Sequence, residues 1–375
     1  MLTAPSATHT PNRLAALESI RGFAASYVVA GHICNVYFHN PGWALPFRFA
    51  AEAVVLFFLL SGFVVRLSTP DDTNFPDFFT KRFKRIYPLF LLSLAFSYGL
   101  ACASAQAWVS PRWGDLLGNL LMLQDFGYAR PGVWFGQYYN EALWSLAYEC
   151  WFYGFFIALL KLAPTPERRN TWVLFAAILA MAVHRKWPNP LGYFAVNFVI
   201  WWGASELARQ YRRTGQVSTK TTATWCVAML LCAISWLPTV FDLPSQNRSP
   251  GLYPILDIRR FVAGAVFMAV GLSWFKLWSK GGARLFRWTI GPFQRLAPIS
   301  YGIYIFHFPI IEFFVQTNLA TRPMVCISTI VLSVISVAYV MEIWVQRWVN
   351  GWRVWNRSIH DSSQVNPGSV ELKVS

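Results

Sequence analysis

Three buried-looking ionisable residues and one arginine frame any chemistry this chain performs. Arg21 is followed by ten mostly apolar residues, Gly22 to Gly31, and then by His32. In a helix the imidazole stands about 16 Å beyond the guanidinium, roughly half of a hydrocarbon core of about 30 Å. An ionisable group at that depth is expensive and is by default a functional-site candidate. The bland alternative is a histidine that hydrogen-bonds between helices. His307 reaches a similar depth in a late apolar run, and Glu149 lies about 10 Å down from the opposite side. A buried carboxylate without a partner stays protonated or costs several kcal/mol. A histidine partner relieves it, and such a pair is how a general base is oriented. The expectation is therefore His32 as proton acceptor with Glu149 beside its ring. His307 either lines the substrate path or bonds across helices, and Glu52, near the outer edge, reads as ordinary rim.

The elements that must position these residues follow from composition. The 375 residues are 55% hydrophobic and only 13% charged, with 19 Trp and 31 Phe. Apolar stretches near twenty residues recur from end to end, separated by basic or Pro/Gly-containing pieces. Backbone groups in lipid must be satisfied within the segment, and the ten-residue alternation of a membrane barrel is absent. The pattern predicts an all-α, polytopic membrane protein of about ten transmembrane helices, over 20–38, 50–67, 86–105, 142–161, 171–184, 191–207, 223–240, 260–276, 296–314 and 323–343. A polar leader (1–18) precedes a single transmembrane domain (19–345), and a polar tail (346–375) follows it. The long segment 106–140 is rich in Trp, Tyr, Gly and Pro.

The formal net charge of +15 does not point to nucleic acid. Basic residues cluster between spans, at 81–85, 161–169, 209–220 and 276–295, where positive-inside bias places them. The other side carries scattered charges: Arg48, Arg112, Arg130, Arg185, Lys186, Arg248, Arg259, Arg260 and Arg322. With ten spans this predicts both termini in the cytoplasm. The run Lys81-Arg82-Phe83-Lys84-Arg85 stands at the start of the third span, on that side. Either it is an ordinary basic loop, or it holds phosphate together with Arg21, because arginine's planar fork suits a phosphate bidentately. The six cysteines lie in or beside apolar runs and show no metal-binding spacing, so no metal is expected. No glycine-rich phosphate loop, HExxH or GxSxG is present. The first apolar run lacks a small-residue cleavage site and reads as a retained span.

Several ordered motifs resemble the membrane-bound acyltransferase-3 family, the bacterial integral-membrane O-acyltransferases. Arg21-x10-His32 is similar to the family's Arg–His signature, within Leu17-Glu18-Ser19-Ile20-Arg21-Gly22. Phe57 to Phe63, Lys81 to Pro88, Trp144 to Tyr153 and Ser300 to His307 resemble four further family segments. Departures are Ser19 for the usual glycine, Val55 where many relatives have aspartate, and Cys150 where many have a second glutamate. The resemblance is to the family's stand-alone form, expected to work without the SGNH hydrolase-like domain fused in some relatives.

The resemblance implies an acyl-CoA co-substrate, acetyl-CoA above all, with no permanently bound cofactor. It implies phosphates held by Arg21, Lys81, Arg82 and Arg85, and His32 and Glu149 as the catalytic pair. Trp144, Tyr304 and His307 would contact the acceptor. That acceptor would be a glycan or lipid-linked sugar at the outer face of a bacterial inner membrane, beside polysaccharide assembly machinery and membrane lipids. Direct transfer is the expected route, and an acyl-enzyme on Ser61 or His32 stays open. The competing reading is a proton-coupled transporter using the same buried histidine and glutamate. No hydropathy repeat or pair of discontinuous helices favours it. A sensor without catalysis would leave the buried ionisable layer idle.

Overall fold

The computed structural model describes residues 10–39, 42–125, 130–244, 248–249, 251–278 and 282–363. Among them every regular element is helical, and the sole β feature is an isolated bridge between Gln124 and Phe135. The chain runs through α1 (Thr10–Val36), α2 (Ala50–Ser68), α3 (Phe75–Ala105), the short α4 (Trp113–Leu120), α5 (Trp144–Leu162), α6 (Pro166–Lys186) and α7 (Pro190–Thr214). It continues through α8 (Thr219–Ser235), α9 (Leu237–Asp242), α10 (Ile255–Leu277), α11 (Gly282–Thr289), a 3-10 segment (Gly291–Ile299), α12 (Ser300–Val315) and α13 (Pro323–Ser363).

Each of the ten apolar stretches coincides with a long helix. Among the described residues, six helical stretches, those containing α2, α3, α5, α8, α12 and α13, are long and apolar enough to cross a membrane. The other four, α1, α6, α7 and α10, have the length but hold more polar side chains. Length and composition therefore give six candidate crossings among the described residues, against the ten expected. α7 shows why the others differ. It is buried along nearly its whole length and carries Asn197, Ser205 and Glu206 inward. The outer faces are apolar where lipid would lie: Phe175 and Ile178 on α6, Leu231 on α8, Leu332 and Val340 on α13 are all exposed.

Two glycines set the closest helix crossings. A Cβ on Gly62 would stand 2.1 Å from the Trp201 carbonyl oxygen, and one on Gly22 2.1 Å from that of Phe293. Only a bare Cα lets α2 lie on α7, and α1 on the 3-10 segment, at that separation.

Several boundaries differ from the sequence reading. α1 begins at Thr10, so half of the expected leader is helical. α3 begins at Phe75 with a proline in its first turn, which takes the basic run 81–85 into the helix and leaves Pro88 well inside it. α13 runs on to Ser363, through much of the expected tail. Charges expected on outer loops are buried instead. Arg130 bonds Asp125 (3.1 Å) and Asp257 (2.8 Å), Arg260 bonds Asp257 (3.2 Å), and all four residues are buried. Burial is tolerable because each charge meets an opposite one and the network is neutral overall. Glu52 is likewise not rim: it is 5% exposed and pairs with Arg259 at 2.7 Å. At the other end, Asp71 in the α2–α3 turn gathers Arg66, Arg169 (2.9 Å) and Arg212 (3.8 Å) from three helices.

Candidate active site

α1, α2, α3, α5, α12 and α13 enclose a cavity of about 120 Å³. Its walls include Arg21, Arg82 and Arg85, the carboxylates Glu18, Glu149 and Glu342, and the hydroxyl residues Ser61, Ser145, Tyr153, Ser300, Tyr301 and Tyr304. Arg82 and Arg85 are three apart on α3, so they share one face of the helix. Lys81 is exposed on another face and does not line the cavity. The Arg82 guanidinium stands over the rings of Phe78 and Tyr153 at 5.4 and 5.5 Å and donates to Ser68 Oγ at 3.3 Å. Stacking holds the fork in place without occupying most of its donors.

Arg21 is more heavily committed. Its Nε donates to Ser300 Oγ (3.0 Å), and one terminal nitrogen donates to Glu18 (3.0 Å) and to the Ala297 carbonyl (2.7 Å). These bonds tie α1 to the start of α12. Further along the same two helices, the rings of His32 and His307 meet with centroids 5.1 Å apart, and His32 also meets the edge of Phe308. His307 is fully buried, whereas His32 keeps part of its surface accessible. His307 Nδ1 lies 2.7 Å from the Tyr304 carbonyl oxygen. A carbonyl only accepts, so Nδ1 carries the hydrogen. His307 Nε2 and His32 Nδ1 are buried without a hydrogen-bond partner among the described residues.

Glu149 is turned away from the histidines. Its Oε1 accepts from Ser61 Oγ at 2.8 Å and from the Tyr153 hydroxyl one helical turn on. Ser61 Oγ in turn accepts from the indole Nε1 of Trp201 at 3.2 Å. The expected pairing of Glu149 with an imidazole is thus replaced by a Trp201–Ser61–Glu149–Tyr153 chain, because α5 presents this residue to α2 while His32 faces α12. Tyr304 stands between the two groups. Its hydroxyl shares a 2.6 Å hydrogen bond with Ser145 and its ring meets Phe57 on the cavity wall, while its carbonyl holds His307. Trp144 is buried under Arg260, whose guanidinium lies 4.2 Å from the ring, and does not reach the cavity.

Sequence reasoning therefore brought Arg21, Arg82, Arg85, Glu149 and Tyr304 to one cavity, with His32 and His307 adjoining. It missed Tyr153, Ser145 and Trp201. Tyr153 was legible four residues after Glu149 on one helix face. Trp201 gives no signal, since only the α2–α7 crossing brings it to Ser61.

The sequence profile of the acyltransferase domain matches residues 14–342, nearly the whole described bundle. The chain belongs to the acyltransferase-3 family. Among curated relatives, the chain is 32% identical to "Acyltransferase MdmB" of Streptomyces mycarofaciens over 178 residues, 46% of this chain and 45% of that one. It is 33% identical to "Nodulation protein 10" of Rhizobium leguminosarum bv. viciae over 96 residues, 24% and 26% of the two chains. It is 39% identical to "Protein 2 in picA locus" of Rhizobium radiobacter over 90 residues, 23% and 44%. The chain thus spans less than half the length of each of these relatives. No solved structure matches it.

Proposed function

We propose that this acyltransferase moves a short acyl group, acetyl by preference, from acyl-CoA to a hydroxyl of a cell-surface or exported polysaccharide or lipid-linked sugar. The observation that carries this reading is the cavity joining Arg85 and the stacked, underused Arg82 to a hydroxyl- and carboxylate-lined end at Ser61, Glu149 and Tyr304. Phosphates of the donor sit at the arginines as charge-assisted bidentate pairs, and the pantetheine arm carries the thioester inward. A space of about 120 Å³ favours a small acyl group over a long one. The Tyr304 hydroxyl, fixed by Ser145, can donate to the thioester oxygen as negative charge develops there.

His32 takes the proton from the acceptor hydroxyl as it attacks the acyl carbonyl. His307, its tautomer set by the Tyr304 carbonyl, supports His32 at that point. Lys81 and Trp144 drop out of the contact set on this reading. On this reading the arginine mouth and both termini face the cytoplasm of a bacterial inner membrane, which the positive-inside rule supports through the basic clusters. The exposed Trp108, Trp113 and Trp134 of segment 106–140 offer faces on which sugar rings stack.

The test is purified protein in nanodiscs with labelled acetyl-CoA and glycan extracts, paired with NMR of surface polysaccharides from a deletion strain. Loss of glycan acetyl groups in the deletion, restored by the wild type but not by His32→Ala, is the expected result. Unchanged acetylation together with no consumption of acetyl-CoA overturns the reading.

A further inference from the structure

The Ser61-Gly62 pair has a geometry that direct transfer leaves unused. Ser61 Oγ lies in the cavity wall, donates to Glu149 Oε1 at 2.8 Å and accepts from Trp201 Nε1 at 3.2 Å. A serine hydroxyl with a carboxylate taking its hydrogen and an N–H directed at its oxygen is the arrangement of an activated nucleophile. Glu149 stands where the Oγ–H proton must go, and the indole N–H stands where alkoxide charge develops. Gly62 secures the third contact, because any Cβ there would meet the Trp201 carbonyl oxygen at 2.1 Å and push the indole off Ser61. The two histidines do not line this cavity and bond to neither Ser61 nor Glu149 among the described residues. The groups around the donor's thioester are thus a complete set without them.

We propose that Ser61 is a catalytic nucleophile and that the acyl group rests on its Oγ between donor and acceptor. This rests on the acyl-CoA reading of the cavity. In the first half, Ser61 Oγ attacks the thioester carbonyl carbon and its proton passes to Glu149. The C–S bond breaks, the sulfur takes that proton from Glu149, and CoA leaves as the thiol, with the acyl group now an ester on Ser61. In the second half, the acceptor hydroxyl attacks the ester carbonyl and its proton goes to His32. The bond from carbonyl carbon to Oγ breaks; Oγ takes up one proton from water through Glu149 while His32 releases the acceptor's proton to solvent, so no net proton is gained or lost. Neither half needs an oxidant, a metal or a second co-substrate. The consequence is that donor and acceptor need never occupy the protein together, so each can be loaded from its own side of the membrane.

The test uses the full chain in nanodiscs without any acceptor. Acetyl-CoA is mixed with isotopically labelled CoA, and exchange of the label into acetyl-CoA is followed. In parallel, acid-quenched protein is weighed by intact mass spectrometry and mapped by peptide. The wild type should exchange the label and gain one acetyl group on the α2 peptide. Ser61→Ala should lose both while still binding CoA, Glu149→Gln should slow exchange roughly a hundredfold or more, and Ser61→Cys should carry the acyl group as a thioester. CoA binding with neither exchange nor acetylation, or acetylation at another residue, overturns this proposal and leaves the acyl-CoA reading standing. Failure to bind CoA at all overturns both.

Discussion

Tyr304 and His307 share one turn of α12, with the imidazole Nδ1 donating to the tyrosine carbonyl at 2.7 Å. The bond fixes the tautomer and leaves Nε2 as the free lone pair, buried against a second imidazole whose own Nδ1 is also without a partner. Two unsatisfied ring nitrogens on neighbouring imidazoles in a bundle core are costly unless something polar arrives beside them. On the proposed function that arrival is the acceptor hydroxyl. His32→Ala should then cut transfer to the acceptor roughly a hundredfold to ten-thousandfold while CoA affinity, measured by calorimetry, stays within error. His307→Asn, which keeps a donor for the Tyr304 carbonyl, should lose less than His307→Leu.

The stacked guanidinium of Arg82 should matter beyond its charge. Lysine lacks the plane that lies on Phe78 and Tyr153, so Arg82→Lys should raise KM for acyl-CoA about tenfold with kcat changed far less. Arg85→Gln should act likewise. Both effects should shrink with donors lacking the nucleotide phosphates, as read from initial rates against donor concentration.

Arg130 and Asp257 test the stability side. Removing one partner leaves a buried, uncompensated charge, so Arg130→Ala or Asp257→Asn should cost about 3–5 kcal/mol. Thermal unfolding in detergent, followed by tryptophan fluorescence, reads it directly, and the double variant should lose less than the sum of the singles.

Asp71 gives a dependence on pH. Burial alone would raise its carboxyl, but the bonds from Arg169 and Arg66 outweigh that and hold it below the ordinary value of 3.8. A carboxyl depressed in the folded state adds stability that is complete above its unfolded value and disappears as pH falls through the folded one. The melting temperature of wild type should therefore exceed that of Asp71→Asn at neutral pH, and the gap should close in acid below 3.8. The carboxyl is partly exposed, so the gap should be small and sensitive to salt.

Gly62→Ala should destabilise by about 1–3 kcal/mol through overpacking at the α2–α7 crossing. It should also depress acyl transfer more than a stability loss of that size explains, because relief of the clash moves Trp201 from Ser61. Melting temperature and specific activity of the folded fraction separate the two.

How much of this was legible depended on whether a residue's role is local. The long helices could be read because hydropathy is a property of consecutive residues, and Arg82 and Arg85 could be placed together because a helix repeats on one face. The number of crossings was not settled, because α7 and α10 mix apolar with polar side chains that the bundle itself satisfies. Arg130 and Arg260 looked like loop charges because the network that buries them closes over distance: Asp257, three residues from Arg260 on α10, also takes Arg130, 127 residues away. Depth alone put Glu149 beside His32. Depth says nothing about which way a side chain points around its helix, and α5 points this one at Ser61.

That rotational freedom gives the Arg21–His32 interval its meaning. Successive residues turn by about 100°, so eleven steps on α1 return to within roughly 20° of the starting direction, and seven steps from Ser300 to His307 on α12 do the same. Arg21 meets Ser300 at one end and His32 meets His307 at the other, so the two intervals are matched in phase. Side chains between the matched points can change freely, whereas one inserted residue would swing an imidazole about 100° off its partner with every other residue type intact. The motif is a gauge of angle as much as of length.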